Sequence, residues 1–199
     1  HEETKESDID VMVITEKLLK INIKEPKLEI TAFELGKFKK AVEKHPVMYY
    51  QIVQEAEPLI NAHVLEELRN IKLENKNFKD YLNETKEHIK SSKELLELDK
   101  LDGEFIKSYS VIYSTILRLR GIFIIRCILN KENFSNKNFK KWLIGEGINN
   151  DEFEHFYSIY RAIRDNKKIK DVKIKIPSAE KLLNTLKNEL ISLGAKLNG

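Results

Sequence analysis

The chain has 199 residues, of which 41% are hydrophobic and 34% charged, and its formal net charge is +3 at pH 7. That length supports one domain or two small ones with a real core, and so small a net charge gives no bulk electrostatic case for nucleic acid. The single cysteine, Cys127, excludes an internal disulfide and fits a reducing cytoplasm, the expected location. The opening residues lack the pattern of a secretory signal. The most apolar run, "GIFIIRCIL", is too short to span a bilayer and is interrupted by Arg126, so no membrane partner is expected. Residue 1 is His and the first strand follows almost at once, so the expectation is that the natural N-terminus lies further upstream.

The first element is carried by "SDIDVMVI". Val11, Val13 and Ile14 are β-branched and, with Met12, read as a mostly buried strand. "TEKLLKINIK" follows as a short amphipathic segment, and Pro26 marks a turn. "KLEITAF", from Lys27 to Phe33, reads as a second strand, with Glu29 set among apolar neighbours. "ELGKFKKAVEKH" places Leu35, Phe38, Ala41 and Val42 on one helical face, and Pro46 opens a further helix, "PVMYYQIVQEA". "EPLIN" reads as a short extended piece.

Beyond about residue 60 only helical patterns remain. His63 to Leu73 is one helix, and "ENKN" is a polar break. "FKDYLNETKEHIKSSKELLEL" has a single apolar stripe and predicts a long surface helix, whereas Gly103 to Asn130 is apolar nearly all round and predicts the centre of a bundle. Cys127 lies in that run, where an inert buried thiol is expected. Ser135 can cap a helix holding Phe139 and Trp142. Phe153, Phe156, Tyr157, Tyr160 and Ile163 keep helical spacing in the next. Pro177 and Ser178 start the last, whose stripe is Leu182, Leu183, Leu186, Leu190 and Leu193. The expected fold class is therefore α+β and mostly α: a small α/β part over residues 1–73, then an antiparallel helical bundle over residues 74–199.

Chemistry is concentrated near the start. Asp8 and Asp10 are two apart, so on a strand they share a face at about 7 Å. Burying two like charges is costly, and a divalent cation would relieve the conflict. Glu29, on a strand that could lie alongside, adds a third carboxylate within reach of one metal site. Three such groups suit two-metal phosphoryl or nucleotidyl transfer. The plain alternative is an exposed acidic turn before the strand together with an exposed strand glutamate.

"ESDIDVMVI" resembles the second half of the signature of minimal polymerase-beta-like nucleotidyltransferases, in which a Gly-Ser pair precedes a Ser-Asp-x-Asp strand by about ten residues. "LEITAFELGKFKKAVEKHPVMYYQIVQEAEPLI" resembles that family's continuation: third acidic strand, helix, then a Pro-led helix ending in a short strand. The resemblance implies that Asp8, Asp10 and Glu29 are the catalytic metal ligands, that Ser7 contacts the nucleotide, that the cofactor is Mg2+ or Mn2+, and that an NTP is the substrate. The family more often has Asp at the position of Glu29, and its Gly-Ser pair would fall before His1. The helical remainder resembles the HEPN domain in its order of helices, in "YSVIYSTILRLRGIFIIRCIL" and in "FYSIYRAIRDNKK". Active HEPN ribonucleases have an Arg followed after four to six residues by His. Neither Arg161 nor Arg164 is followed in that way, so metal-independent RNA cleavage is not expected.

Besides purely structural association through the helical bundle, two functions are thus open from the sequence. One is a nucleotidyltransferase that moves an NMP from an NTP to an acceptor hydroxyl on a protein, RNA or small molecule, with the helical part supplying an acceptor pocket or a homodimer surface. The other is a non-catalytic nucleotide-, RNA- or protein-binding module of the toxin–antitoxin type.

Overall fold

Two β-branched runs pair first. In the computed structural model of the protein, which describes residues 9–23, 25–169 and 172–198, strand β1 (Ile9–Thr15) lies parallel to β2 (Leu28–Glu34). The register runs from Ile9 opposite Leu28 to Thr15 opposite Glu34. The rest of the described chain is mostly helical. It divides into two compact units, one ending at Leu73 and the other beginning at Glu74.

In the first unit, side chains alternate between the faces of the sheet. Met12 and Ile14 of β1 and Phe33 of β2 point one way and pack on a core of Phe38, Val42, Val53, Leu65 and Leu68. That core is built by α1 (Leu35–Lys44), α2 (Pro46–Glu55) and α3 (Ala62–Arg69). The Phe38 ring lies 4.8 Å from that of Phe33 and 5.4 Å, edge-on, from that of Tyr49. Pro46 occupies the first turn of α2, where a missing N–H costs nothing. The far end of α2 is held by Arg69. Its guanidinium donates to the carbonyls of Val53 (3.2 Å), Gln54 (3.1 Å) and Ala56 (2.8 Å), groups that a helix end leaves without partners.

Two local expectations are corrected here. "EPLIN" forms no strand: Pro58 has no N–H for a ladder, Asn61 turns left-handed at φ 53°, and Leu59 and Ile60 are exposed. Residues 16–23 are irregular, and Leu18 and Leu19 are exposed, so the amphipathic pattern buries neither leucine. Residues 62–69 are helical where His63 to Leu73 was expected: the helix stops four residues early, at Asn70, whose side-chain amide donates to the Glu66 carbonyl at 2.8 Å.

The second unit opens with a 3-10 turn over Asn75–Phe78, which replaces the expected polar break. It continues into α4 (Lys79–Asp102), α5 (Tyr109–Asn130), α6 (Asn136–Gly145), α7 (Asn150–Arg164) and α8 (Ile176–Asn198). Helix α5 is apolar on every side and packs against α4, α7 and α8, with Ile112, Ile116, Leu119, Ile122 and Ile125 fully buried. The leucine stripe of α8 from Leu182 to Leu193 is buried as its spacing dictates. Ser135 caps α6 by accepting from the N–H of Asn138 at 3.1 Å, and α7 starts with a reciprocal Asn149–Glu152 capping box.

Helix α5 begins at Tyr109, six residues after the expected Gly103. Gly103 ends α4 at φ 141°, and the backbone of residues 104–106 pairs with that of residues 174–176. The buried Asp99 carboxylate fixes this turn. It accepts from the N–H groups of Lys107 and Ser108, each at 3.0 Å, and from the Ser108 hydroxyl at 3.1 Å.

Helices α4 and α5 approach closely where Tyr81 lies over Gly121. A Cβ at Gly121 would fall 1.8 Å from the Tyr81 hydroxyl oxygen and 2.2 Å from its ring. The hydroxyl is held in place by donating to the Arg118 carbonyl at 3.1 Å. Gly121→Ala should therefore destabilise the protein by about 1–3 kcal/mol, even though Ala is the better helix former by about 1 kcal/mol. Urea melts will check this. Unchanged or increased stability would show that Tyr81 does not constrain the helix pair.

Arg126, which interrupts the apolar run of α5, is neutralised by an ion pair with the buried Glu189 of α8 and lies 5.3 Å over the Trp142 ring. Burial raises the Glu189 pKa, Arg126 opposes the rise, and the Glu146 carboxyl beside it adds to the rise. A carboxyl whose pKa is raised by folding favours the native state at low pH, and that contribution is lost as pH rises through its folded value. Glu146→Gln removes the like charge and offers a donor. It should stabilise the protein at neutral pH and have little effect at pH 4, as measured by urea midpoints at the two values. The burial that raises the pKa of Glu189 also pushes the Cys127 thiol up to about 11, leaving it protonated and inert at neutral pH.

Candidate functional site

Asp10 and Glu29 are direct partners in the β1–β2 ladder. In a parallel pair such partners point to the same face, with backbones about 4.8 Å apart. They stand on the face that carries Met12, Ile14 and Phe33, and both are exposed. Neither carboxylate has an ion-pair or hydrogen-bond partner among the described residues. Asp8 and Ser7 lie outside the described residues.

Asp10 and Glu29 are both exposed, so solvent relieves the charge repulsion that burial would have imposed. What remains is their alignment, two hard oxygen donors side by side on an open face. That is the ligand type Mg2+ or Mn2+ takes, so the pair fits such an ion in donor chemistry and access. Among the described residues no group of three His, Cys, Asp or Glu side chains is gathered as for a metal ion.

The "FYSIYRAIRDNKK" segment ends α7. Arg164 pairs with Asp165 at 2.7 Å, and Arg161 lies 5.4 Å over the Tyr157 ring. His155 is exposed and precedes both on the same helix, by six and nine residues. A third arginine was not singled out from the sequence. Arg120 of α5 donates through Nη1 to the Asn136 side-chain oxygen at 2.6 Å and to the Tyr157 hydroxyl at 3.1 Å. Its guanidinium faces the rings of Phe134 at 4.8 Å and of Tyr160 at 5.6 Å. The available signal was "LRLRGIFIIR", three arginines inside a helix that is otherwise apolar, each of which must find a partner.

The sheet and its acidic pair define an α+β chain with a candidate oxygen-donor site, followed by a helical unit with an arginine–tyrosine cluster. No protein-family model, no curated protein and no solved structure matches the chain. No helix of the described residues is long and apolar enough to cross a membrane.

Proposed function

We propose that the first unit is a metal-dependent nucleotidyltransferase and that the second is a HEPN-like antiparallel helical bundle that supplies the acceptor pocket or a homodimer surface. The observation that carries this reading is the in-register pairing of Asp10 with Glu29 on one face of adjacent parallel strands. The helix and the Pro46-led helix that follow β2 support it, because the resemblance implies that order. In the reaction, an acceptor hydroxyl oxygen forms a bond to the α-phosphorus of an NTP. The α–β phosphoanhydride bond breaks and pyrophosphate leaves. Glu29 faces the hydroxyl and takes its proton, while Asp10, with Asp8, serves the triphosphate side and Ser7 contacts a phosphate. Bound Mg2+ or Mn2+ supplies neutralisation of the phosphate charge.

Calorimetric titration with each NTP, with and without Mg2+, tests the site in the wild type and in Asp10→Asn. The wild type should bind only with metal, and the variant should lose that metal-dependent binding while folding equally well. Equal affinity in the two proteins would refute the site. Tight, metal-dependent binding without turnover on any acceptor would move the function to a non-catalytic module of the toxin–antitoxin type.

A further inference from the structure

Helix α5 carries three arginines in an otherwise apolar sequence, and their partners differ. Arg118 pairs with Glu84 of α4 at 3.2 Å, and Arg126 pairs with Glu189 of α8. Arg120 has no carboxylate partner among the described residues, although it is half-buried. Its neighbours are aromatic rings, one amide oxygen and one phenol, none of which carries a full negative charge. Removing a guanidinium from water is costly unless an anion compensates.

Two further cations gather on the same tyrosines. Arg161 lies over the ring of Tyr157, whose hydroxyl Arg120 reaches, and Arg164 lies 5.8 Å over the ring of Tyr160, which Arg120 also faces. These two rings stack on one another at 5.5 Å, so the three guanidinium groups are held around one rigid pair. Only Asp165, bound to Arg164, opposes them among the described residues. The position of Arg161 and Arg164 in the last turn of α7 is favourable for any cation, and that alone would account for them. It does not account for Arg120, which comes from the middle of a different helix.

We infer that Arg120, Arg161 and Arg164 form a binding site for a multiply charged phosphate group, such as a phosphomonoester or pyrophosphate. Three guanidinium charges against one carboxylate leave an excess of two, which a phosphate dianion neutralises and a single phosphodiester does not. Planar guanidinium forks suit phosphate oxygens in geometry as well as in charge. Tyr157 and Tyr160 are both buried, so no nucleobase can stack on them, and recognition is confined to the phosphate. The site lies in the second unit and does not depend on the nucleotidyltransferase reading.

The probe is pyrophosphate, titrated calorimetrically into the whole protein in EDTA, which keeps a metal-dependent site at Asp10 and Glu29 out of the measurement. The wild type should bind, and pyrophosphate should raise its melting temperature. Arg161→Gln, an exposed change that leaves the fold intact, should weaken binding several-fold. Arg120→Gln should weaken it by about tenfold or more, the usual scale for a charge-assisted hydrogen-bonded contact. If Arg120→Gln does not fold, Arg161→Gln decides alone. Absence of binding to the wild type, equal affinity in wild type and Arg161→Gln, or equally tight binding of an oligoribonucleotide without terminal phosphates would each overturn the inference.

Discussion

Glu29→Gln should lower metal-dependent pyrophosphate release by about 10²–10⁴-fold, or roughly 3–5 kcal/mol of barrier, while nucleotide affinity stays nearly constant. The separation follows from the roles proposed for the two carboxylates. In the proposed reaction Asp10 serves the triphosphate, which is already fully charged in the ground state, so its loss should show in binding. In that proposal Glu29 faces the acceptor hydroxyl, which becomes anionic only as the reaction proceeds. An interaction that strengthens toward the transition state affects turnover and spares ground-state affinity. The exposure of Glu29 makes the comparison clean, because replacing a surface carboxylate by its amide usually changes stability by about 0.5 kcal/mol or less. The assay follows pyrophosphate from each NTP with cell extract or candidate acceptors present, beside nucleotide titrations. A variant with wild-type turnover would remove Glu29 from the chemistry, and a variant that fails to bind nucleotide would reassign it to the triphosphate.

The parts of this protein that could be read from its sequence are those where neighbours in the chain are also neighbours in space. The apolar surround of α5, the leucine stripe of α8, Pro46 at the start of α2 and the Ser135 cap are all local patterns, and each dictates its element directly. The exposed stretches were harder. "EPLIN" has strand-like residues, but Pro58 and the left-handed Asn61 decide against a ladder, and residues 16–23 show an amphipathic pattern that leaves Leu18 and Leu19 exposed. The candidate site was legible as residue types and as two strands. Its register was not, since a shift by one residue would have sent Asp10 and Glu29 to opposite faces. The polar contacts least visible in the sequence join distant positions: Arg69 to the carbonyls that end α2, Asp99 to the turn before α5, and Arg120 to Asn136 and Tyr157. Each is a polar group whose partner only the tertiary fold brings near.

Phe38→Ala should unfold the first unit and leave the second folded. Phe38 is 1% exposed and sits where α1 meets both the sheet and α2, in ring contact with Phe33 and Tyr49. Truncating a buried Phe costs about 3–5 kcal/mol, from lost transfer energy and the cavity left behind. Residues 9–73 cannot absorb that loss. Units of roughly 60 residues bury only about 60% of the surface that their unfolded chains expose, and total stability at about 0.1 kcal/mol per residue is of the same size as the loss. The second unit has its own core around Ile112, Ile116 and Ile122, to which Phe38 contributes nothing. Amide hydrogen exchange on the whole chain should therefore show protection lost from β1 to α3 and retained in α5, α7 and α8. Phe38→Leu, which keeps most of the volume, should cost less than about 1.5 kcal/mol and retain protection throughout. Because β1 and β2 are held in register through Met12, Ile14 and Phe33 packing on this core, Phe38→Ala should also abolish metal-dependent nucleotide binding, whereas Phe38→Leu should preserve it. Nucleotide binding that survives loss of protection in β1 and β2 would mean that Asp10 and Glu29 do not hold the ligand.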